Sequence, residues 1–106
     1  MKIAHLSLLA LCLSVTAVTP ALADQALAQR KACLSCHGVD KAVLGPSLKD
    51  VASKYRGHKG MEAKLAEKIL NGGGGVWKMP MGPMPAQSQV SSAEARQLSA
   101  WVLSLK

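Results

Sequence analysis

The chain has 106 residues and a net charge of +7; 49% of it is hydrophobic, yet only 3% is aromatic and it has no Phe. That length holds one small domain whose side chains make a thin core, the kind that leans on a metal, a disulfide or a cofactor. The basic residues are scattered, with no run and no interleaved aromatics, so the composition is not that of a nucleic-acid binder.

The N-terminus reads as an export signal. Lys2 supplies the positive start, Ile3 to Val18 is mostly apolar, Pro20 interrupts it, and Ala21-Leu22-Ala23 gives the small-x-small cleavage pattern. The apolar stretch is shorter than the roughly 20 residues that span a bilayer. Residues 1–23 are therefore expected to be a removed signal peptide and 24–106 the working domain. Its destination is then an oxidising compartment. A lipoprotein signal is not expected, because Cys12 lies inside the apolar stretch behind Leu11, where lipoprotein processing wants a small residue. Without Lys2 the domain keeps twelve basic residues against six acidic ones, net +6. Such a balance suits acidic partners.

A first helix is expected over 24–32, with Leu27 as its apolar residue. Next comes Cys33-Leu34-Ser35-Cys36-His37, a C-x-x-C-H pattern. Two thiols at this spacing reach the two vinyl groups on one edge of a porphyrin, and the adjacent imidazole can bind the iron beneath it. The pattern predicts one covalent haem c. A thiol-redox C-x-x-C would need a βαβ setting, and a structural zinc site about four ligands. Cys33, Cys36, His37 and His58 supply that number only nominally, since neighbouring Cys36 and His37 make the geometry awkward.

A second helix follows Ser47, a good N-cap: Leu48, Val51, Ala52 and Tyr55 share one face. Gly57 ends it. A third spans 60–70 with Met61, Leu65 and Ile69 in one stripe, stopped by Asn71-Gly72. Residues 72–90, with four glycines and then Met79-Pro80-Met81-Gly82-Pro83-Met84-Pro85, suit no regular structure; a loop this long in a small domain is functional or disordered. The last helix is the clearest. Ser91 and Glu94 form a capping box, and Ala95, Leu98, Trp101, Val102 and Leu105 share a face. No strand pattern occurs. The expected fold is all-α, about four helices around one haem, the first and last crossing.

A low-spin haem needs a second axial ligand, commonly His or Met. His58 sits in a polar turn and reads as a surface residue, which leaves methionine. Met61 falls on a helix face. Met79, Met81 and Met84 lie in the proline-rich loop and compete.

Lys31 to His37, Leu44-Gly45-Pro46, Asn71 to Trp77, Pro83-Met84-Pro85 and Ala100 to Lys106 together resemble small bacterial class I cytochromes c of the c-551 type. The resemblance covers the whole domain. It implies thioether links at Cys33 and Cys36, His37 as proximal ligand, and a hydrogen bond from its other nitrogen to the Pro46 carbonyl. It implies Trp77 beside the haem with its indole N–H on a propionate, Lys68 near a propionate, and Met84 as distal ligand. The segment from Trp77 to Ser91 is a few residues longer than the family's, so Met81 and Met79 stay as alternatives. The implied function is single-electron transfer between respiratory redox proteins, by a monomer, without catalysis. The alternative is a haem enzyme or ligand sensor with an open distal position, although no distal acid–base pair is evident. Lys31 and Lys78, which flank the motif and the loop, are expected to steer acidic partners.

Overall fold

The structure is a computed structural model that describes residues 12–16 and 20–106. Most of the expected signal segment therefore lies outside the described residues. Residues 12–16 have no regular structure, and Leu13 and Val15 are 81% and 86% exposed.

The described residues form four helices: α1 (Pro20–Arg30), α2 (Leu48–Tyr55), α3 (Met61–Asn71) and α4 (Ser92–Ser104), with a single 3₁₀ turn over Cys33–Ser35. Helix α1 starts earlier than the sequence suggests. Proline suits a first helical turn, where its missing N–H would have no partner. The expected cut after Ala23 therefore falls inside α1. The other boundaries follow local chemistry. Ser47 Oγ accepts from the Asp50 amide at 3.1 Å and starts α2. Ser91 and Glu94 exchange side-chain and backbone hydrogen bonds at the head of α4. Gly60 and Gly72, both at positive φ, bracket α3.

Helix α4 is the hub. It packs against α1, α2 and most extensively α3. Its buried Ala95, Leu98, Trp101 and Val102 meet Leu27 and Ala28 of α1, Leu48 and Val51 of α2 and Ala66 of α3 in one core. Ser99 is buried there too, and its hydroxyl donates to the Glu62 carbonyl at 2.6 Å, so the polar group carries no desolvation penalty. Arg56, just past α2, donates to the Leu105 carbonyl and ties that end of the domain to the C-terminus.

Two pairings occur outside the helices, each a single residue pair rather than a strand: His37 with Ala42 and Gly73 with Met84. Ala32, between α1 and the 3₁₀ turn, has φ 63° and is the one non-glycine residue at positive φ among those described. That left-handed residue turns the chain out of α1 and presents Cys33 to the interior.

Candidate haem site

Leu65 and Ile69 of α3 and Tyr55 of α2 are only half-buried, although they sit on the apolar faces of their helices. They line a cavity of about 520 Å³, together with Val51, Leu98, Trp101 and Val102. The cavity borders the core instead of lying apart from it, so the thin aliphatic core continues into it.

One wall is the Cys33–His37 segment. The 3₁₀ turn brings both thiols and the imidazole to the same cavity. The turn is closed by the Cys36 and His37 amides, which donate to the Cys33 carbonyl at 3.2 and 2.9 Å. No disulfide joins Cys33 and Cys36. Burial pushes the Cys33 thiol above its ordinary pKa, with a smaller rise from neighbouring Cys36.

The loop after His37 folds back beneath it. The Leu44 and Gly45 amides both donate to the Cys36 carbonyl, at 3.0 and 2.8 Å, and the Leu48 amide reaches the Gly38 carbonyl at 2.9 Å. This places the Pro46 carbonyl 2.8 Å from His37 Nδ1. A carbonyl only accepts, so Nδ1 carries the proton and Nε2 keeps its lone pair for a metal. Gly45 lies flat on the ring: a Cβ there would sit 2.6 Å from Cε1 and 2.9 Å from Nδ1. The need for glycine is one of clearance here, since its φ is ordinary.

The facing loop carries the methionines. Met84 is held by both backbone groups: its carbonyl accepts from the Gly73 amide at 2.8 Å, and its amide donates to the Gly73 carbonyl at 3.3 Å. The Gln87 amide bonds the Ile69 carbonyl at 3.1 Å and fastens the loop to the end of α3. Gly72, at φ 66°, allows that approach. A Cβ there would lie 2.6 Å from the Ala86 nitrogen, 2.7 Å from the Pro85 carbonyl carbon, and against the Met84 carbonyl oxygen. Sequence patterning gave Gly72 only the role of helix stop; its Met84 contact is long-range and leaves no local signal.

All three loop methionines line the cavity, but unequally. Met81 is 68% exposed, whereas Met79 and Met84 are half-buried. Trp77 lines the cavity and meets Tyr55 edge-on, ring centroids 6.5 Å apart; Lys54 Nζ lies 5.8 Å from each ring centre. Lys68 also lines the cavity, and its ammonium donates to the Gly74 carbonyl at 2.6 Å. His58 stays outside, exposed and edge-on to Tyr55. Among the described residues no three His, Cys, Asp or Glu side chains gather as a metal site would require.

Lys31 is engaged within the domain. It pairs with Glu94 at 3.2 Å and donates to the Gln89 carbonyl at 3.1 Å, while the Gln89 side-chain amide returns a bond to the Lys31 carbonyl at 3.0 Å. The Ser91 amide, and then Lys31, hold the Glu94 carboxyl below its usual range.

This donor set fits a covalent haem c. Two thiols share one wall, an imidazole is oriented with one nitrogen free, thioethers line the loop across from the motif in sequence, and the remaining lining is largely aliphatic. The cytochrome c family profile matches residues 23–106. The chain is 51% identical over 86 residues to cytochrome c2 of Rhodocyclus tenuis, covering 78% of this chain and 92% of that one. It is 46% identical over 83 residues to cytochrome c-551 of Pseudomonas aeruginosa, covering 77% and 76%. The crystal structure of Nitrosomonas europaea cytochrome c552 superposes with a TM-score of 0.72 at 43% identity, covering 77% of this chain and 99% of that one. The chain therefore belongs to the cytochrome c family, as a small class I c-type cytochrome that carries haem c and transfers electrons.

Proposed function

We propose that this cytochrome is a periplasmic one-electron carrier in which His37 and Met84 are the two axial ligands of the haem iron. The observation that carries this reading is the pair of backbone locks on those residues. The Cys36 carbonyl gathers the loop that aims His37, and the Gly73 bridge grips Met84 at both its amide and its carbonyl.

The haem supplies a ferric/ferrous couple whose potential a thioether ligand raises. The chain's own work is positional. The Pro46 carbonyl holds the imidazole in one tautomer and raises its basicity. The Gly73 bridge keeps the Met84 backbone in one place in either oxidation state, which limits reorganisation. Leu65, Ile69, Leu98 and Val102 keep the cavity apolar. Lys68 and the Trp77 indole supply donors on its wall for the propionates. The likeness to cytochromes c2, c-551 and c552 supports a carrier over an enzyme.

Export is supported by the exposed, unpacked Leu13 and Val15 ahead of the domain. No helix of the described residues is long and apolar enough to cross a membrane. An acidic redox partner is supported by the net charge, by Lys68 at the cavity and by Lys54 beside the Trp77 ring; Lys78 stands between cavity-lining Trp77 and Met79. The domain has its own single core and works as a monomer.

The test is the identity of the bound sulfur. In reduced holoprotein with ¹³C-methyl methionine, the iron-bound methyl is shifted far upfield by the porphyrin ring current. That resonance should be assigned to Met84 and persist in Met79→Ala and in Met81→Ala. Its loss in either single variant would overturn the ligand assignment.

A further inference from the structure

We propose that Met79 is a second thioether for the same iron position, and that it takes this position when Met84 leaves. The proposal rests on His37/Met84 ligation, and its failure looks different from a failure of that reading.

The loop geometry carries it. The Gly82 amide donates to the Met79 carbonyl at 3.2 Å, so residues 79–82 form a turn. Pro80 occupies its second position, where a fixed φ is favoured, and Gly82 follows at φ 80°. A turn separates the fates of its side chains. Met81, near the tip, is 68% exposed. Met79 enters the turn half-buried, and Met84 stands just beyond it, also half-buried; both line the same cavity. The chain reverses between them, so two sulfurs five positions apart serve one space.

The loop can also move at small cost. Gly74 and Gly75 have nothing within 4 Å of where a side chain would be, and the side-chain tie on that stretch is the Lys68 ammonium at the Gly74 carbonyl. Methionine has three rotatable bonds and a polarisable sulfur, which lets it reach an unoccupied position from an imperfect start. Exchange of one neutral thioether for another changes no charge in the cavity. The step breaks one iron–sulfur coordinate bond and forms another, with no proton or electron gained or lost.

The competitors are weaker. The Lys68 ammonium is engaged with the Gly74 carbonyl at 2.6 Å and would have to give up a proton before binding iron. His58 lies outside the cavity, against Tyr55. A tethered side chain already in the cavity acts at an effective concentration of about millimolar or more, ahead of solutes more dilute than that. Met79 thus keeps the distal position closed while Met84 is detached, and the protein remains a carrier.

The experiment uses holoprotein carrying Met84→Ala, with Met84→Leu, of closer volume, as the second background should the alanine variant not fold. Each is compared with its double variant bearing Met79→Ala or Met81→Ala. In reduced Met84→Ala protein, an upfield-shifted methionine methyl should persist, belong to Met79, survive Met81→Ala and vanish with Met79→Ala. Imidazole titration of the oxidised proteins should show at least about tenfold weaker binding to Met84→Ala than to Met79→Ala/Met84→Ala, equivalent to about 1.4 kcal/mol. Any of three results overturns the proposal: no upfield methyl in the Met84 single variants, a methyl belonging to Met81, or equal imidazole affinities with and without Met79. If Met79→Ala alone strips the unmodified protein of its bound methyl, the failure is that of the Met84 assignment instead.

Discussion

Replacing Gly72 with alanine tests the link between the end of α3 and the ligand loop. The glycine has φ 66° and ψ −157°, a combination nearly confined to glycine, and forcing another residue into it costs about 1–3 kcal/mol. The added carbon would lie 2.6 Å from the Ala86 nitrogen, where ordinary contact begins at 3.4 Å. The Met84–Ala86 backbone must therefore retreat by about 0.8 Å or more (3.4 less 2.6). Overpacking of this kind adds about 1–3 kcal/mol. The expected loss is about 2–6 kcal/mol in guanidinium unfolding of the holoprotein, where each contribution alone is already measurable. The retreat acts on the two hydrogen bonds that hold Met84 to Gly73, so the sulfur–iron charge-transfer absorption should weaken and the reduction potential fall. Gly74→Ala is the control: it meets nothing and has no positive φ, so stability should hold within about 1 kcal/mol and the absorption should be unchanged. A Gly72→Ala protein as stable as Gly74→Ala, with its absorption intact, would refute the reasoning.

Gly45→Ala drives a methyl into the face of His37. It should lift the ring from the Pro46 carbonyl, at a cost of about 0.5–1.5 kcal/mol for the hydrogen bond, and speed exchange of the Nδ1 proton seen by NMR. Unchanged exchange would mean that the loop yields instead. Glu94 has a lowered pKa in the folded protein, so its stabilising contribution is full above the ordinary glutamate range and is lost as pH falls through the lowered value. The stability gap between wild type and Glu94→Gln in denaturant titrations should therefore close on acidification; a gap that widens would give the wrong sign. Lys78→Gln should flatten the ionic-strength dependence of electron exchange with an acidic partner. Lys31→Gln, which breaks an internal tie to Glu94 and Gln89, should lower stability and leave that salt dependence alone; the reverse pattern would show that Lys31 is the steering charge.

What was legible in the sequence is what neighbours decide. The Cys33–His37 spacing, the Ser47 cap and the Ser91/Glu94 box act over three or four residues, and the helices start where those side chains close on nearby amides. The apolar faces of α2 and α4 are legible for the same reason. Contacts between distant segments leave no such trace. Lys31 looks like a free charge until Gln89 and Glu94, some sixty residues on, are folded against it. Gly45 and Gly72 look like turn and stop residues until the His37 ring and the Met84 backbone are laid on them. The three loop methionines all lie in one proline-rich stretch; the turn through Pro80 and Gly82 separates exposed Met81 from half-buried Met79 and Met84.

The placement of the hub at the end of the chain has a consequence for the order of maturation. Helices α1, α2 and α3 have 11, 8 and 11 residues, too short to persist alone in water, and each packs chiefly on α4. A nascent chain emerging N-terminus first therefore cannot close its core until residues 92–104 have appeared. Cys33 and Cys36 emerge about sixty residues before that point. The two thiols are thus presented on an open chain for the whole interval, and the interior is sealed around them only by the last helix to arrive. Attachment of the haem has a time window built into the helix order, and any change that let α1–α3 collapse without α4 would shorten it.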